Sequence, residues 1–357
     1  MKKVCYFGIY DPQHWRSRIL SRGFRRAGFE VIECRINPRE VKGIKKYFEL
    51  YKKYKALRQN KFDYIVVGFP GYFIVFLAYV ISSVPIIFDA YISYFDGVRD
   101  RRNYSLLHPK MWFAWCVDFV DGLCSEAVLV LNYTSKDFFV KTLKVKASKV
   151  EVLHKGADEA VFFPRQENRP KKKDKYIIGW WGSFIPLHGI PVIIDAANVL
   201  RHDDNIKFQI IGYGQLAQSI KKQLEALGLS NVSLIPFIPQ NQLVEKILEF
   251  DIALGIFSAT PKAGRCITNK VFEAIAMGKP VITQDSKANR EIFTHKLNAY
   301  LVPPGDPKAL ANAIKELIQN KELRDTIAHN AVKLFRDNFV SEKIEKELID
   351  IIKRHEQ

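Results

Sequence analysis

The segment "TNKVFEAIAMGKPVIT", residues 268–283, has the pattern of a helix that leads through a turn into a buried strand. Its first ten residues have the apolar spacing of a helix, and Gly278 and Pro280 mark the turn. Residues 281–283 then have the β-branched composition of a buried strand. A helix that feeds a buried strand predicts a parallel sheet covered by helices.

The same alternation of strand and helix runs through both halves of the chain. Apolar runs predict strands at residues 3–9, 30–35, 63–69, 84–90, 126–132 and 149–154, and again at 175–183, 206–214, 231–237, 250–257, 279–283 and 298–305. Helical patterns fill the gaps, among them residues 15–27 and 41–59. The alternation predicts an α/β protein with two doubly wound, Rossmann-like parallel sheets.

A polar segment with two prolines, residues 164–175, separates the two halves and predicts an interdomain linker. We therefore assign residues 1–165 to an N-terminal domain and residues 175–335 to a C-terminal domain. The length of 357 residues also favours two domains. The last part of the chain has a helical pattern, and we expect residues 336–357 to form a helix that packs back toward the N-terminal domain.

The composition, with 48% hydrophobic and 26% charged residues, is that of a globular protein. Five scattered cysteines without a C-x-x-C pair argue for a reducing compartment and against a disulfide framework or a structural zinc. The opening "MKKVCYFGIY" has too short an apolar run for a signal peptide. These features predict a cytoplasmic protein.

Positive charge is concentrated in the first half of the chain, which has a formal net charge of +17 overall. Residues 1–175 hold 33 Lys and Arg against 18 Asp and Glu, and residues 1–61 alone hold 17 against 5. This asymmetry predicts an anionic partner for the N-terminal half: membrane lipid, nucleic acid or an acidic substrate. The alternative is a well-solvated surface without a partner.

Residues 64–95 are apolar over a length that could span a bilayer. Pro70, Gly71 and Pro85 interrupt the run at turn positions and leave a helix of about a dozen residues, which is too short to span. We interpret the segment as strand, buried helix and strand. A helix seated in the membrane surface is the alternative.

Two glycine-containing strand ends are candidates for phosphate contacts. In "GWWGSFIPLHG", residues 179–189, Gly182 and Ser183 end a strand, and His188 and Gly189 precede a helix whose backbone amides could approach a phosphate. The stretch "IIGYGQLA", residues 210–217, matches G-x-G-x-x-A, but the next strand ends without an acidic residue. We interpret Gly212 as a turn glycine at the mouth of a sheet.

A cluster of cations precedes a glutamate in residues 255–283. Lys262, Arg265 and Lys270 can neutralise a diphosphate, and Glu273 can accept two hydrogen bonds from a ribose diol. The alternative is a simple ion pair, because Lys270 and Glu273 are three residues apart on one helical face.

The pairing of "GSFIPLHG" (182–189) with "NKVFEAIAMGKPVIT" (269–283) resembles the retaining glycosyltransferases of family 4. The resemblance extends to "HKGADEAVFFP" (154–164) and "GDPKALANAIKELI" (305–318). It implies the GT-B architecture, two Rossmann-like domains facing a cleft, with the acceptor on the N-terminal domain and a nucleoside diphosphate-sugar on the C-terminal one. It also implies a hexosyltransferase-like reaction with retention, in cell-surface polysaccharide or glycolipid biosynthesis.

The resemblance assigns roles to residues of the C-terminal domain. The expected catalytic residues are Arg265, Lys270 and Glu273. The expected donor contacts are Gly182, Ser183, His188, Gly189, Gly212, Pro236, Phe237, Lys262, Asn269 and Val271.

The sequence departs from the family pattern at the donor site. The family has a glutamate eight residues before the second one, where this chain has Arg265, and its usual glycine-loop Arg and Lys are replaced by Ser183 and His188. We expect Lys262 and Lys270 to supply the lost positive charge. A catalytically silent scaffold is the alternative that these departures favour.

No Asp-x-Asp motif is present, so we expect neither a metal nor another cofactor. The candidates on the acceptor side are four carboxylates, with His14 as a weaker one: Asp11, Asp89, Asp96 and Asp100. A basic nucleic-acid-binding protein remains as an alternative, although no nucleic-acid motif supports it and we expect no such partner.

The helical pattern at residues 41–59 predicts attachment to an anionic membrane surface, and a glycan or lipid-linked acceptor there. Its apolar-aromatic stripe and flanking cations are Ile44, Tyr47, Phe48, Tyr51, Tyr54 and Leu57, with Lys45, Lys46, Lys52, Lys53, Lys55 and Arg58. Such a helix can lie in the bilayer interface with its lysines on phosphates. The alternative is that the stripe packs on the sheet. We expect a cytoplasmic protein held peripherally at the membrane.

Overall fold

The computed structural model describes residues 1–37, 40–165 and 175–356. These divide into two compact units, Met1–Lys155 with Ser341–Gln357, and Gly156–Val340. The division therefore falls at residues 155/156, whereas the sequence pattern placed the end of the N-terminal domain at residue 165. The predicted linker lies mostly outside the described residues.

Each unit contains one six-stranded sheet, and every described strand pair is parallel. The first sheet has the order β2-β1-β3-β4-β5-β6 and the second β12-β11-β10-β7-β8-β9. The strands are β1 (Lys3–Ile9), β2 (Glu30–Ile36), β3 (Tyr64–Val67), β4 (Ile86–Asp89), β5 (Ala127–Val130), β6 (Val150–Val152), β7 (Tyr176–Ser183), β8 (Ile206–Tyr213), β9 (Val232–Ile235), β10 (Ile252–Leu254), β11 (Val281–Gln284) and β12 (Tyr300–Val302). The predicted α/β class with two doubly wound sheets is confirmed.

Helices cover these sheets. They are α1 (Trp15–Arg26), α2 (Lys45–Leu57), α3 (Ile74–Ile81), α4 (Tyr94–Arg102), α5 (Pro109–Cys124), α6 (Tyr133–Lys141), α7 (Ile190–Val199), α8 (Ala217–Leu227), α9 (Gln240–Glu249), α10 (Asn269–Ala276), α11 (Lys287–Arg290), α12 (Pro307–Gln319), α13 (Lys321–Asn338) and α14 (Ser341–His355). The apolar segment 64–95 forms strand β3, the short helix α3 and strand β4. Within the described ranges, no helix combines the length and hydropathy that a bilayer crossing requires.

The apolar stripe of α2 divides between the core and the surface. Tyr54 is buried, and Tyr47 and Leu57 pack against the core of the first unit. Phe48 and Tyr51 are exposed. The stripe is wider than the contact that one sheet face offers to one helix, so one part packs inward and the other faces outward.

The last helix, α14, packs on α1 within the first unit. Glu345 is buried and forms ion pairs with Arg22 and Arg26, at 2.8 and 2.7 Å. A Cβ on Gly23 would lie 2.7 Å from Cδ2 of Leu348, so a side chain at this position would push the two helices apart. The chain thus returns to its first helix after completing the second unit.

The strands β7 and β8 approach each other closely where they end side by side in the second sheet. Gly182 is the register partner of Gly212. A Cβ on Gly212 would lie 1.9 Å from the carbonyl oxygen of Gly182, and its φ of +146° is one that L side chains rarely adopt. Gly212 is therefore required by this close approach between neighbouring strands.

Candidate functional site

The predicted donor residues of the second unit meet at the carboxyl ends of its strands. β7 is flanked by β8 on one side and by β10 on the other, so the strand order reverses beside β7. Ligands of open parallel sheets bind at such a switch point. Gly182 and Ser183 end β7, and the loop with Lys262 and Arg265 follows β10, so the fold brings these two sequence motifs to the same place.

Glu273 is held by a tryptophan that the sequence motif did not include. The indole Nε1 of Trp181 donates a hydrogen bond of 2.7 Å to Oε2 of Glu273. Trp181 is only 4% exposed and its ring stacks on Phe250, which fixes the donor. An ionised carboxylate has about four acceptor positions, so this bond orients Glu273 without exhausting its capacity to accept.

Lys270 faces a different tryptophan. Its Nζ lies 4.7 Å from the centroid of the Trp180 ring, and the residue is only 4% exposed. A Cβ on Gly182 would lie 3.3 Å from Cε and 3.4 Å from Nζ of Lys270, so the glycine leaves room for the lysine at the end of β7. The face of an indole attracts a cation, so this contact holds the ammonium group of Lys270 at the end of β7.

The loop after β7 is fixed by His188 and Gly189. Nδ1 of His188 lies 2.6 Å from the carbonyl oxygen of Ser183, and since a carbonyl only accepts, Nδ1 carries the proton of this bond. Gly189 has φ +66°, and a Cβ there would lie 2.4 Å from the backbone nitrogen of Ser258. The loop therefore packs directly on the segment after β10, and only glycine fits at the contact.

The beginning of α10 adds a positive end to this group of cations. Lys262 is buried, Arg265 is half-buried and Asn269, the first residue of α10, is exposed. Thr268 precedes the helix, and its buried hydroxyl has no hydrogen-bond partner within the described part of the chain. A helix N-terminus with nearby lysines favours an anionic ligand. Sequence reasoning missed Thr268.

Two exposed aromatic rings lie at the carboxyl ends of the neighbouring strands β8 and β9. Phe237 is 80% exposed, and Tyr213, which sequence reasoning did not single out, is 74% exposed. Pro236 beside Phe237 is exposed as well. Val271 differs from these, because it is buried and lies beside Gly255, where it contributes packing. Exposed rings at the ends of strands offer flat surfaces to a planar ligand.

Among the candidates in the first unit, Asp89 is engaged by Arg16. Both are buried, and Nη2 of Arg16 lies 2.8 Å from Oδ1 of Asp89. Nη1 of Arg16 donates to the carbonyl oxygens of Leu153 and His154. Asp89 thus holds an arginine at the carboxyl edge of the first sheet.

Cations surround an aromatic ring at the same edge. The guanidinium of Arg16 and Nζ of Lys155 lie 5.8 and 4.7 Å from the centroid of the Tyr91 ring. The ring of His14 approaches Tyr91 edge-on, at 6.3 Å between centroids. Burial lowers the pKa of His14, which favours its neutral form. Asp11 closes the preceding turn by accepting from the backbone nitrogen of Gln13.

Asp96 and Asp100 lie within α4 and are buried. The adjoining helix α5 contributes Asp118, which accepts from the hydroxyl of Ser93 and the backbone nitrogen of Phe95. Burial raises the pKa of Asp118 to about 6. Burial, with Asp118 nearby, raises that of Asp121 to about 8. Among the described residues, no group of three or more His, Cys, Asp or Glu side chains could hold a metal ion.

Comparison with known proteins identifies relatives of this chain. Residues 163–334 match the family model described as glycosyl transferases group 1. The chain is 25% identical over 261 residues to the capsular polysaccharide biosynthesis glycosyltransferase CapM of Staphylococcus aureus, over 70% of this chain and 67% of that protein. It is 31% identical over 137 residues to the amylovoran biosynthesis glycosyltransferase AmsK of Erwinia amylovora, over 37% and 33%. The chain thus matches between a third and two thirds of the length of these curated relatives.

The fold also has close counterparts among solved structures. Anabaena Alr3699/HepE in complex with UDP-glucose matches with a TM-score of 0.72 and 16% identity, over 99% of this chain and all of that one. Sucrose-phosphate synthase from Thermosynechococcus elongatus matches with a TM-score of 0.78 and 14% identity, over 99% of each chain. At these identities the likeness concerns the fold, and it confirms the predicted GT-B class.

Proposed function

Since residues 163–334 match the family model of glycosyl transferases group 1, we propose that this protein moves a sugar from a nucleoside diphosphate-sugar to a glycan or lipid-linked acceptor. One observation carries the proposal: Glu273, oriented by Trp181, stands one helical turn from the buried Lys270 at the switch point of the second sheet. A carboxylate for a diol and a cation for a diphosphate are the two groups that such a donor needs.

Each part of the donor has a partner of fitting chemistry in the second unit. Glu273 accepts from the ribose hydroxyls. Lys270, Lys262 and the N-terminus of α10 face the diphosphate, with the hydroxyl of Thr268 as an additional donor. The exposed rings of Tyr213 and Phe237 suit a nucleobase. The Anabaena neighbour was solved with UDP-glucose, which is a donor of this chemical class.

In the transfer, the bond between the anomeric carbon and the diphosphate oxygen breaks, and the acceptor hydroxyl oxygen bonds to that carbon. The hydroxyl proton passes to the leaving diphosphate. Arg265, Lys262 and Lys270 stabilise the negative charge that develops there, in the place that a metal ion takes in other transferases. We propose retention by attack on the face from which the diphosphate leaves, as the resemblance to family 4 implies.

The acceptor side belongs to the first unit. The ammonium group of Lys155, over the ring of Tyr91, suits an acceptor with an anionic group. Together with the positive charge of residues 1–61, this favours an acceptor linked to a phospholipid-like carrier at the cytoplasmic face of a membrane. The two curated relatives are named for capsular polysaccharide and amylovoran biosynthesis, so we propose a role in cell-surface polysaccharide or glycolipid biosynthesis.

The proposal is tested by measuring the melting temperature of the protein with a panel of nucleoside diphosphates and nucleoside diphosphate-sugars. We expect one base to raise the melting temperature, because a ligand at 100 times its Kd stabilises by about 2.7 kcal/mol. The matching sugar nucleotide should then be consumed in the presence of EDTA, and NMR should show that the product keeps the anomeric configuration of the donor. The matching nucleoside monophosphate is the control that lacks the second phosphate.

Three results would contradict the parts of the proposal separately. If no nucleotide binds and no sugar nucleotide is consumed, the protein is a silent scaffold. Activity that EDTA abolishes and Mn²⁺ restores contradicts the role given to the cations. An inverted product contradicts retention.

A further inference from the structure

One face of the first unit carries aromatic side chains that are exposed over a large part of their surface. Phe48 and Tyr51 on α2, Phe76 and Tyr79 on α3, and Trp112 and Phe113 on α5 are between 39% and 62% exposed. We call these six side chains the aromatic face. Large aromatic rings are usually buried, and an exposed group of them marks an interaction surface.

The three helices of the aromatic face lie on the same side of the first sheet. Parallel crossovers are right-handed, so the helices that follow β2, β3 and β4 in the order β2-β1-β3-β4-β5 cover the face opposite α1. Leu50 of α2, Ala78 of α3 and Ala114 of α5 accordingly share one hydrophobic core. The six exposed rings therefore point away from that core on neighbouring helices.

Direct contacts connect the helices into one layer. The guanidinium of Arg58, just after α2, donates a hydrogen bond of 2.9 Å to the carbonyl oxygen of Ile81 at the end of α3. The ring of Phe73, just before α3, stacks on Phe113 of α5 with 6.0 Å between centroids. The rings of the aromatic face therefore belong to one connected layer of helices.

Positive charge surrounds these rings. Helix α2 contains five lysines and a single acidic residue, Glu49. Lys45, Lys52 and Lys55 are exposed on it, and Lys110 is exposed at the start of α5. Anionic lipid surfaces attract such a cluster, since each lysine near the surface improves partition by roughly fivefold.

We infer that the aromatic face with its lysines is a docking surface for an anionic lipid bilayer, with the rings at headgroup depth and the lysines on lipid phosphates. This inference rests on the proposed function, which places the acceptor at a membrane. Aromatic side chains are enriched at the interface between bilayer and water, and the long side chain of a neighbouring lysine can reach the lipid phosphates. Protein interfaces are instead depleted of lysine, so the composition favours lipid over a second protein.

The structure changes the sequence-based expectation that a single helix, with its aromatic stripe and its lysines, meets the membrane. Tyr54 and Leu57 of the predicted stripe pack toward the core, whereas α3 and α5 contribute four rings that the stripe did not include. Attachment therefore has an apolar part as well as an electrostatic part. Salt screens only the electrostatic part, so we expect high salt to weaken binding without abolishing it.

Vesicle sedimentation with the full chain tests the inference, using phosphatidylcholine vesicles with and without phosphatidylglycerol. The combined variant Phe48→Ser, Phe76→Ser, Trp112→Ser should weaken binding to anionic vesicles at least about tenfold and remove the part that survives high salt. The combined variant Lys45→Glu, Lys52→Glu, Lys55→Glu should lose about a hundredfold or more at low salt.

Matched controls lie on the second unit, where exposed residues of the same kind are available. Val199→Ser with Leu297→Ser controls for the loss of exposed apolar surface, and Lys222→Glu, Lys308→Glu and Lys333→Glu together control for charge reversal. Neither control should change vesicle binding by more than about twofold. Equal losses in the controls and in the aromatic-face variants would overturn the inference.

Two further measurements separate this inference from its rivals and from the proposed function. If light scattering shows a dimer that the aromatic-face variant converts to a monomer, the face binds a second copy and not lipid. The change in melting temperature on adding a nucleoside diphosphate is measured on the same samples. A wild type that binds nucleotide but not anionic vesicles refutes the docking surface alone, whereas vesicle binding without any nucleotide shift refutes the proposed function alone.

Discussion

Replacing Trp181 by phenylalanine isolates the hydrogen bond that orients Glu273. The variant keeps an aromatic ring against Phe250 but removes the Nε1–H group that donates a hydrogen bond of 2.7 Å to Oε2 of Glu273. Hydrogen bonds to charged groups contribute about 1.5–3 kcal/mol. Because Glu273 is half-buried, water replaces part of this bond, and the lower end applies. We therefore expect donor affinity to fall about tenfold, which corresponds to about 1.4 kcal/mol.

A double-mutant cycle shows whether this effect passes through Glu273. Donor Kd is measured by calorimetry for wild type, Trp181→Phe, Glu273→Ala and the double variant. If Trp181 acts by orienting the carboxylate, its replacement has no further effect once Glu273 is alanine. Trp115→Phe is the matched control, since it removes an indole N–H that donates 2.8 Å to the carbonyl of Thr142 in the first unit. A tenfold loss that persists in the Glu273→Ala background would refute the reasoning.

Two further changes test the packing of each unit. Gly189→Ala should destabilise the second unit by about 3 kcal/mol, from its positive φ and the clash with Ser258, whereas Gly228→Ala, with positive φ but open space, should cost only about 1 kcal/mol in urea unfolding. Asp121, with its pKa raised to about 8, is protonated in the folded state, so wild-type stability should fall as pH rises from about 4 to about 8, by up to about 1.4 kcal/mol per pH unit. Below about pH 6 Asp118, with its pKa raised to about 6, contributes to the same slope, so Asp121→Asn should remove the slope only between about pH 6 and pH 8. Parallel pH profiles for the two proteins in that range would contradict the assignment.

The fold could be predicted because its signals are local. The apolar strand runs and helical patterns recur at short range, and Gly182 and Gly212 mark strand ends within a few residues. The parallel topology then follows from alternation alone. Strand ends of a doubly wound sheet meet at one edge, so even the convergence of Gly182 with Lys270 follows from the pattern.

The parts of the site that the sequence did not predict are contacts between residues far apart in the chain. Trp181 and Glu273 are 92 residues apart, and Arg16 and Asp89 are 73 apart. Nothing near Asp89 in sequence indicates that an arginine in α1 will occupy its carboxylate. The sequence also could not predict which part of the α2 stripe is buried. Helical periodicity shows which side chains are on the apolar side of the helix, but it does not give the width of the surface against which they pack.

The two units place cations against aromatic rings in the same manner. Lys270 lies over Trp180 in the second unit, and Arg16 and Lys155 lie over Tyr91 in the first, each at the carboxyl edge of its sheet. The face of an aromatic ring attracts a cation, so these contacts hold the two lysine ammonium groups and the guanidinium of Arg16 in position. Charge that is already in position stabilises a negative group without reorganisation, so in the proposed function Arg265, which stands where the family has its first glutamate, adds to a group of cations suited to a diphosphate.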